Sequence, residues 1–323
     1  MKILVTGGAG FIGSALANHL VSLGHRVRVI DDLSSGDPSS LDNAVAFTRG
    51  DVRDIPKLWT LLRDVEVVFH LAARVSVSES ILYPVEYNEV NVGGTVSLMT
   101  AARDAGVRRV VLASSGTVYG EQEEQPVKET APVRPPNPYA VSKIASEYYL
   151  SALGVLYDIE VVMLRIFNAY GPGQAVPPSH PPVIPHFLRQ ALAGSTPAVF
   201  GSGRQTRDFI YIADVVSALT TAGLAENVNG FILNIGTGQE VSISELLKKT
   251  ERLLGKRVPS LHNPAQSGGV SRLVADTESA RKVLGFQAQV DIDEGLRLML
   301  KHYEVANSSN SAARARAETA PRL

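Results

Sequence analysis

Cysteine is absent from all 323 residues. That removes disulfides, zinc–thiolate centres and cysteine nucleophiles from consideration, and it fits a reducing compartment. A surplus of charge is lacking too, since 31 Lys and Arg stand against 32 Asp and Glu. No long-range field then favours nucleic acid or an anionic membrane. The opening run Ile3-Leu4-Val5 meets Thr6-Gly7-Gly8 too soon to be a signal peptide or a membrane span. The expectation is a soluble, cytoplasmic chain without a metal site, a nucleic-acid partner or a membrane partner. There are no internal repeats.

What is present is a rhythm. Residues 3–5, 27–30, 65–71 and 110–113 are short, continuous apolar runs rich in β-branched side chains. Continuous rather than alternating runs suit strands buried on both faces. Amphipathic stretches at 12–23, 55–62, 92–105 and 139–153 separate them, and 161–166 reads as a further strand. This repetition predicts an α/β chain with a Rossmann-type, doubly wound parallel sheet. After Asn168 the texture changes. Gly171-Pro172-Gly173 and the Pro-rich residues 177–185 break the pattern. Helical stretches at 184–192, 212–224 and 243–254, with short strands at 198–200 and 231–235, predict a smaller α/β substrate-binding lobe. The expected division is 1–168 for the sheet domain, 169–305 for the lobe, and 306–323 for an Ala/Ser/Arg-rich disordered tail.

Gly7-Gly8-Ala9-Gly10-Phe11-Ile12-Gly13 lies between the first strand and the first helix. Gly7 permits the tight turn, Gly10 lets backbone approach a pyrophosphate, and Gly13 allows close packing of helix on strand. The helix N-terminus, with Phe11 and Ile12, offers free N–H groups to phosphate. Alone, such glycines often mark only a tight turn. Here the second strand ends in Asp31-Asp32, and an acid at that place binds ribose hydroxyls and repels a 2′-phosphate. NAD is the expected cofactor. Asp32 by itself reads equally well as a solvated turn residue.

Tyr139 and Lys143 stand four apart, which places them on one face of a helix. A free phenol, with a pKa near ~10, is a poor base at neutral pH, and a nearby ammonium favours the phenolate. Ser115 follows the run 110–113, at the sheet edge where open α/β sheets bind ligands. An isolated Tyr/Lys pair is usually a packed ring and a solvated charge. The glycine loop and Ser115, in this order, make Ser115, Tyr139 and Lys143 the expected catalytic set.

These residues, together with Asp51-Val52, His70-Leu71-Ala72-Ala73, Asn91, Ser114-Ser115-Gly116-Thr117-Val118-Tyr119-Gly120 and Arg165-Ile166-Phe167-Asn168, resemble the extended short-chain dehydrogenase/reductase family over about residues 1–304. The resemblance implies that Asp31 holds the adenosine ribose and that Asp51 and Val52 frame the adenine. It implies that Leu71, Ala72, Ala73 and Phe167 line the cofactor, with Asn91 supporting that wall. His70 is read as a packed strand residue. Among relatives, dehydratases carry Asp-Glu beside the serine and decarboxylases carry Glu. This chain has Gly116-Thr117 there and is similar instead to the UDP-galactose and UDP-N-acetylglucosamine 4-epimerases. The resemblance implies an NAD-dependent 4-epimerase of a UDP-hexose, and a homodimer formed through residues 92–105 and 139–153.

For the substrate, the resemblance implies Thr117, Asn168, Val183, Ala198, Phe200 and Arg207, with Leu273 at a gate position that decides whether N-acetyl groups enter. The segment that carries an Arg and a Gly-Asp in many relatives reads Gln266-Ser267-Gly268-Gly269 here, and Arg272 is the substitute cation. Arg207 paired with Asp208 and Arg272 on the surface are the plainer readings of those two side chains. Val75 replaces a lysine found near the cofactor in some epimerases. Two other functions fit the same fold. One is a 4-ketoreductase of deoxysugar synthesis, which Asp31 opposes. The other is a non-catalytic NAD-sensing protein, which retention of Ser115, Tyr139 and Lys143 opposes.

Overall fold

The computed structural model describes residues 1–177, 181–263 and 269–318, with backbone alone from 306 onward. Six strands alternate with helices through the first half: β1 (Lys2–Thr6), β2 (Arg26–Asp31), β3 (Ala46–Arg49), β4 (Val67–His70), β5 (Arg109–Ser115) and β6 (Glu160–Ile166). A seventh strand, Ile232–Ile235, pairs with β6. The sheet order is Ile232–Ile235, β6, β5, β4, β1, β2, β3, and every pairing is parallel. The order reverses between β1 and β4, and the crevice at such a reversal is where open parallel sheets bind ligands.

Both faces of the sheet are covered, which explains the continuous apolar runs. Successive strand residues point to opposite faces. Ile3, Val5, Val67 and Phe69 pack with Leu16 and Leu20 of the first helix, Phe11–Ser22, and with Val215 and Leu219 of the helix Ile212–Leu224. Leu4, Ile30, Val68 and Val110 pack on the other side with Leu58, Leu98, Met99 and Leu150. The helix Pro138–Tyr157 starts where Asn137 accepts the Ala140 N–H, with Pro138 at its first turn.

The smaller lobe is stitched by short pairs. Asn168–Tyr170 lies parallel to Phe209–Tyr211, Thr206–Arg207 antiparallel to Val241–Ser242, and Ala198–Phe200 parallel to Leu261–Asn263. Its helices include Val183–Leu192 and Ile243–Leu254.

Four expectations change. The edge strand β3 was not foreseen, because Ala-Phe-Thr-Arg is short and half-exposed. Ser114 and Ser115 end β5 rather than follow it. The division at 168 does not separate two layers, since residues 212–224 and 232–235 return to the sheet. The last helix runs Ile292–Glu318, so residues 306–318 continue it rather than forming an irregular tail. Their Ala and Arg are strong helix formers. Residues 319–323 lie outside the described residues.

Candidate active site

Beyond the carboxyl ends of β1, β2, β4 and β5 lies a cavity of about 820 Å³. Its floor begins with the glycine loop. Gly7 takes a left-handed backbone, φ +67°, and a Cβ there would come within 2.6 Å of the Ala72 nitrogen. Only glycine accepts that approach. Gly10 caps the first helix without a side chain, so the first N–H groups of Phe11–Ser22 are left for a ligand. A Cβ on Gly13 would overlap the carbonyl oxygen of Gly7. Gly13→Ala is therefore expected to destabilise the fold by about 1–3 kcal/mol and to abolish cofactor retention. Chemical denaturation and the absorbance of co-purified nucleotide check both.

Asp31 and Asp32 line the same cavity. The buried Asp31 carboxylate accepts the Ala9 N–H at 3.0 Å and the Leu33 N–H at 2.9 Å. Burial raises its pKa, and these backbone bonds pull it back toward the ionised form. Asp32 is exposed and accepts from the Ser34 N–H at 2.8 Å. Asp51 lines the wall beside Val52, its carboxylate gripped by Arg53, which holds its pKa below the usual range. Leu71, Ala72 and Ala73 complete this side. Asn91 is not in the wall. It sits one layer back, accepting the Arg74 N–H at 2.8 Å and donating to the Arg74 carbonyl at 3.0 Å. The residues present fit a dinucleotide: a side-chain-free turn, a helix N-terminus and an acid at the end of β2 that lines the same cavity.

Ser115, Tyr139 and Lys143 meet at the inner end. Burial pushes the Tyr139 phenol up to about 12, and a hydrogen bond to Ser115 offsets part of that. The Tyr139 ring stands edge-on to Tyr87, with centroids 6.5 Å apart. The buried Lys143 ammonium donates to the Ala113 carbonyl at 2.8 Å. Burial brings Lys143 down to about 8, against an upward pull from Glu147. The sequence points to Lys143 as the group that lowers Tyr139; in the structure desolvation leads, and the group that pulls the phenol down is Ser115. Behind them, Glu147 takes Arg165 at 2.7 Å and accepts from the Ser114 hydroxyl. The Arg165 guanidinium lies over the Tyr119 ring at 4.7 Å.

Phe167, Asn168 and Val183 also line the cavity, as does Val75. Sequence reasoning missed Arg74, Val90, Ile166 and Tyr170, which line it too. Arg74 could have been found from its place directly after Ala73. The structure does not bring six expected substrate residues into this wall. Thr117 instead donates its hydroxyl to Ser115 at 2.9 Å. Phe200 is 44% exposed, and Ala198 shares its short strand in the outer lobe. Arg272 forms a bidentate pair with Glu240, both contacts 2.7 Å, at the lobe surface. Leu273 is buried against Phe167, Ile144 and Val118, behind the wall rather than at a gate. Arg207 is also outside it, half-buried, donating to the Val270 carbonyl at 2.7 Å. Asp208 faces elsewhere, accepting from Thr237, Gly238 and Ala275. Gly269 lies beside Arg207, 3.4 Å from a Cβ built there, whereas Gln266, Ser267 and Gly268 fall outside the described residues. Among the described residues no cluster of three or more metal-ligating side chains occurs, and no helix is long and apolar enough to cross a membrane.

A parallel sheet with this strand order, a glycine loop beside the Asp31 carboxylate, and a Ser-Tyr-Lys set at its edge define a nicotinamide-dependent Rossmann enzyme. Residues 3–236 match the NAD dependent epimerase/dehydratase family, and the chain belongs to that family. It is 42% identical over 304 residues to a UDP-glucose 4-epimerase of Mycolicibacterium smegmatis, covering 92% of this chain and 96% of that relative. The crystal structure of UDP-glucose 4-epimerase with UDP-glucose from Thermotoga maritima superposes with a TM-score of 0.91 at 33% identity, covering 95% of this chain and 99% of that one. The Thermus thermophilus UDP-glucose 4-epimerase complex with NAD gives 0.87 at 35% identity, covering 94% and 99%.

Proposed function

We propose that the chain is an NAD-dependent 4-epimerase of a UDP-linked hexose. The observation that carries this is the meeting of Ser115, Tyr139 and Lys143 in one cavity with the glycine loop, while Gly116-Thr117 leaves no carboxylate beside Ser115 for dehydration.

When bound, NAD would supply the hydride acceptor and donor for the sugar C4. The loop from Gly7 to Gly13, the N–H groups of Phe11 and Ile12, and Asp31 hold the dinucleotide. Asp51, Val52, Leu71, Ala72, Ala73 and Phe167 enclose it, and Asn91 fixes the wall from behind. Tyr139 takes the 4-hydroxyl proton and returns it after the ring turns over. Ser115 bridges the sugar oxygen and Tyr139, with its own hydroxyl oriented by Thr117. Lys143, positive below about pH 8, supports the phenolate. Asn168 and Val183 meet the sugar diphosphate from the lobe side. Arg207 is the lobe cation that the family resemblance assigns to the diphosphate, and Arg272 is paired with Glu240.

Incubation of purified protein with UDP-galactose, UDP-N-acetylgalactosamine and a dTDP-hexose, without added cofactor, tests this reading. UDP-glucose formed from UDP-galactose is the expected result. Product that appears only with added NADPH and a 4-keto sugar would replace this function with reduction.

The sheet, including the helix Ile212–Leu224 and the strand Ile232–Ile235 that return to it, and the smaller lobe then act as one unit around this cavity. The cysteine-free chain suits a cytoplasmic enzyme. The homodimer is carried by exposed apolar side chains on and near two helices: Val141, Tyr148, Val155 and Leu156 of Pro138–Tyr157, and Leu82, Tyr83 and Val85, which precede the helix Gly94–Ala105. Tyr148→Glu is expected to yield a monomer by sedimentation velocity where the parent runs as a dimer.

A further inference from the structure

His70 ends β4, is 1% exposed and stands outside the cavity wall. Its ring spans two threonines. Nδ1 lies 2.8 Å from Thr6 Oγ1, and Nε2 lies 3.0 Å from Thr95 Oγ1. The neighbours settle which nitrogen bears the hydrogen. Thr95 donates its one hydroxyl hydrogen to the Asn91 carbonyl at 2.6 Å. Toward His70 it can then only accept, so Nε2 is the donor. Nδ1 is left as an acceptor, and the Thr6 hydroxyl donates to it. Thr6 Oγ1 in turn accepts the Ala72 N–H at 3.2 Å.

Both ends of this chain reach the site. Thr6 precedes Gly7, and Ala72 is cavity wall. At the other end, the Asn91 side chain donates to Ser142 Oγ at 2.8 Å, and Ser142 donates to the Tyr139 carbonyl at 2.8 Å. Every hydrogen along the route has one direction. Reversing any one of them leaves a buried donor facing a donor, which costs a large part of a hydrogen bond or more.

We propose that His70 is a positioning residue for the epimerase reaction: fixed as its neutral Nε2–H tautomer, it holds the glycine loop and the Ala72 wall in register with the helix that carries Tyr139 and Lys143. This rests on the NAD-dependent epimerase reading. Burial brings His70 down to about 3, and the Lys143 ammonium, the charged group acting on it, works in the same direction. The ring therefore stays neutral across the working range. A residue there only to fill space could be any flat apolar ring.

The test uses the whole protein with its co-purified NAD. Nitrogen-15 NMR of labelled histidine is expected to show one neutral Nε2–H ring that does not titrate between about pH 5 and about pH 9. An Nδ1–H tautomer, or titration within that range, overturns the proposal. His70→Phe keeps the volume and removes both bonds. It is expected to weaken NAD retention and kcat about tenfold or more while KM for UDP-galactose stays within about twofold. His70→Asn restores an acceptor toward Thr6 and is expected to recover part of the loss. A His70→Phe enzyme with parental retention and kcat overturns the proposal. Should that variant not fold, parental behaviour of His70→Asn does the same. Parent protein assayed alongside separates the two readings, because a parent with neither bound NAD nor epimer product fails the epimerase reading whatever tautomer His70 adopts.

Discussion

Tyr139→Phe is expected to lower kcat for UDP-galactose by about 10³-fold, with KM changed by less than about threefold and the unfolding midpoint unchanged. The Tyr139 phenol is hydrogen-bonded to Ser115 in the cavity, the position from which it would exchange a proton with a 4-hydroxyl. Its ring also packs edge-on to Tyr87, a contact that phenylalanine keeps. The loss therefore falls on the proton transfer and not on the fold. The same reasoning fixes a pH dependence. A phenol pushed up to about 12 is almost entirely protonated at neutral pH, so the rate depends on whatever stabilises the phenolate. Lys143, brought down to about 8, is charged below that pH and neutral above it. Replacing it by methionine removes the positive charge throughout. The rising limb of kcat against pH is expected to move to more alkaline pH, with a loss of about 10²-fold at pH 7. A profile from pH 6 to 10 on both proteins measures the displacement. An unmoved limb in Lys143→Met would mean that the ammonium acts only by holding Ala113.

The second large effect lies behind the site. Arg165→Leu is expected to cost about 3–5 kcal/mol, because it strands the Glu147 carboxylate at 1% exposure. It also removes the cation over the Tyr119 ring. The double variant Glu147→Leu with Arg165→Leu is expected to recover much of that loss, since a buried pair replaced by apolar side chains is often neutral. Denaturant unfolding of the two single variants and the double variant completes the cycle. Glu147 sits one turn beyond Lys143 on the same helix, and Ser114 precedes Ser115 on β5. A loosened pair is therefore expected to lower kcat as well, through the placement of two reacting side chains.

The parts of this protein that could be read from sequence are those whose reason is local. The glycine loop, Asp31, and the Tyr139/Lys143 spacing each state a backbone or helix-face requirement within a few residues, and the structure brings them to one cavity. The buried parallel strands announced themselves because both faces are covered. Strand β3 did not, since an edge strand with half-exposed Phe47 and Thr48 carries no such run. Three of the expected substrate residues that lie outside the cavity wall show how partners turn a side chain. Thr117 is turned by its neighbour Ser115, whereas the directions of Arg272 and Leu273 are set by partners far off in the chain. Ser115 takes the Thr117 hydroxyl, Glu240 captures Arg272, and the cluster around Phe167 buries Leu273. His70 was read as packing alone. Its role becomes visible only once Thr6 and Thr95, far apart in the chain, are seen on either side of the ring.

The strand Ile232–Ile235 closes the sheet beside β6, and this constrains how the polypeptide matures. During synthesis β6 emerges with one edge bare, its N–H and C=O groups open to any passing strand. That edge stays open until about seventy more residues have left the ribosome. The intervening lobe must be made before the sheet that it decorates is complete. A polypeptide halted after residue 168 would carry the whole glycine loop, Tyr139 and Lys143, yet would be expected to collect in the insoluble fraction. The lobe cannot be exchanged as a module, because its own chain supplies the last plank of the sheet.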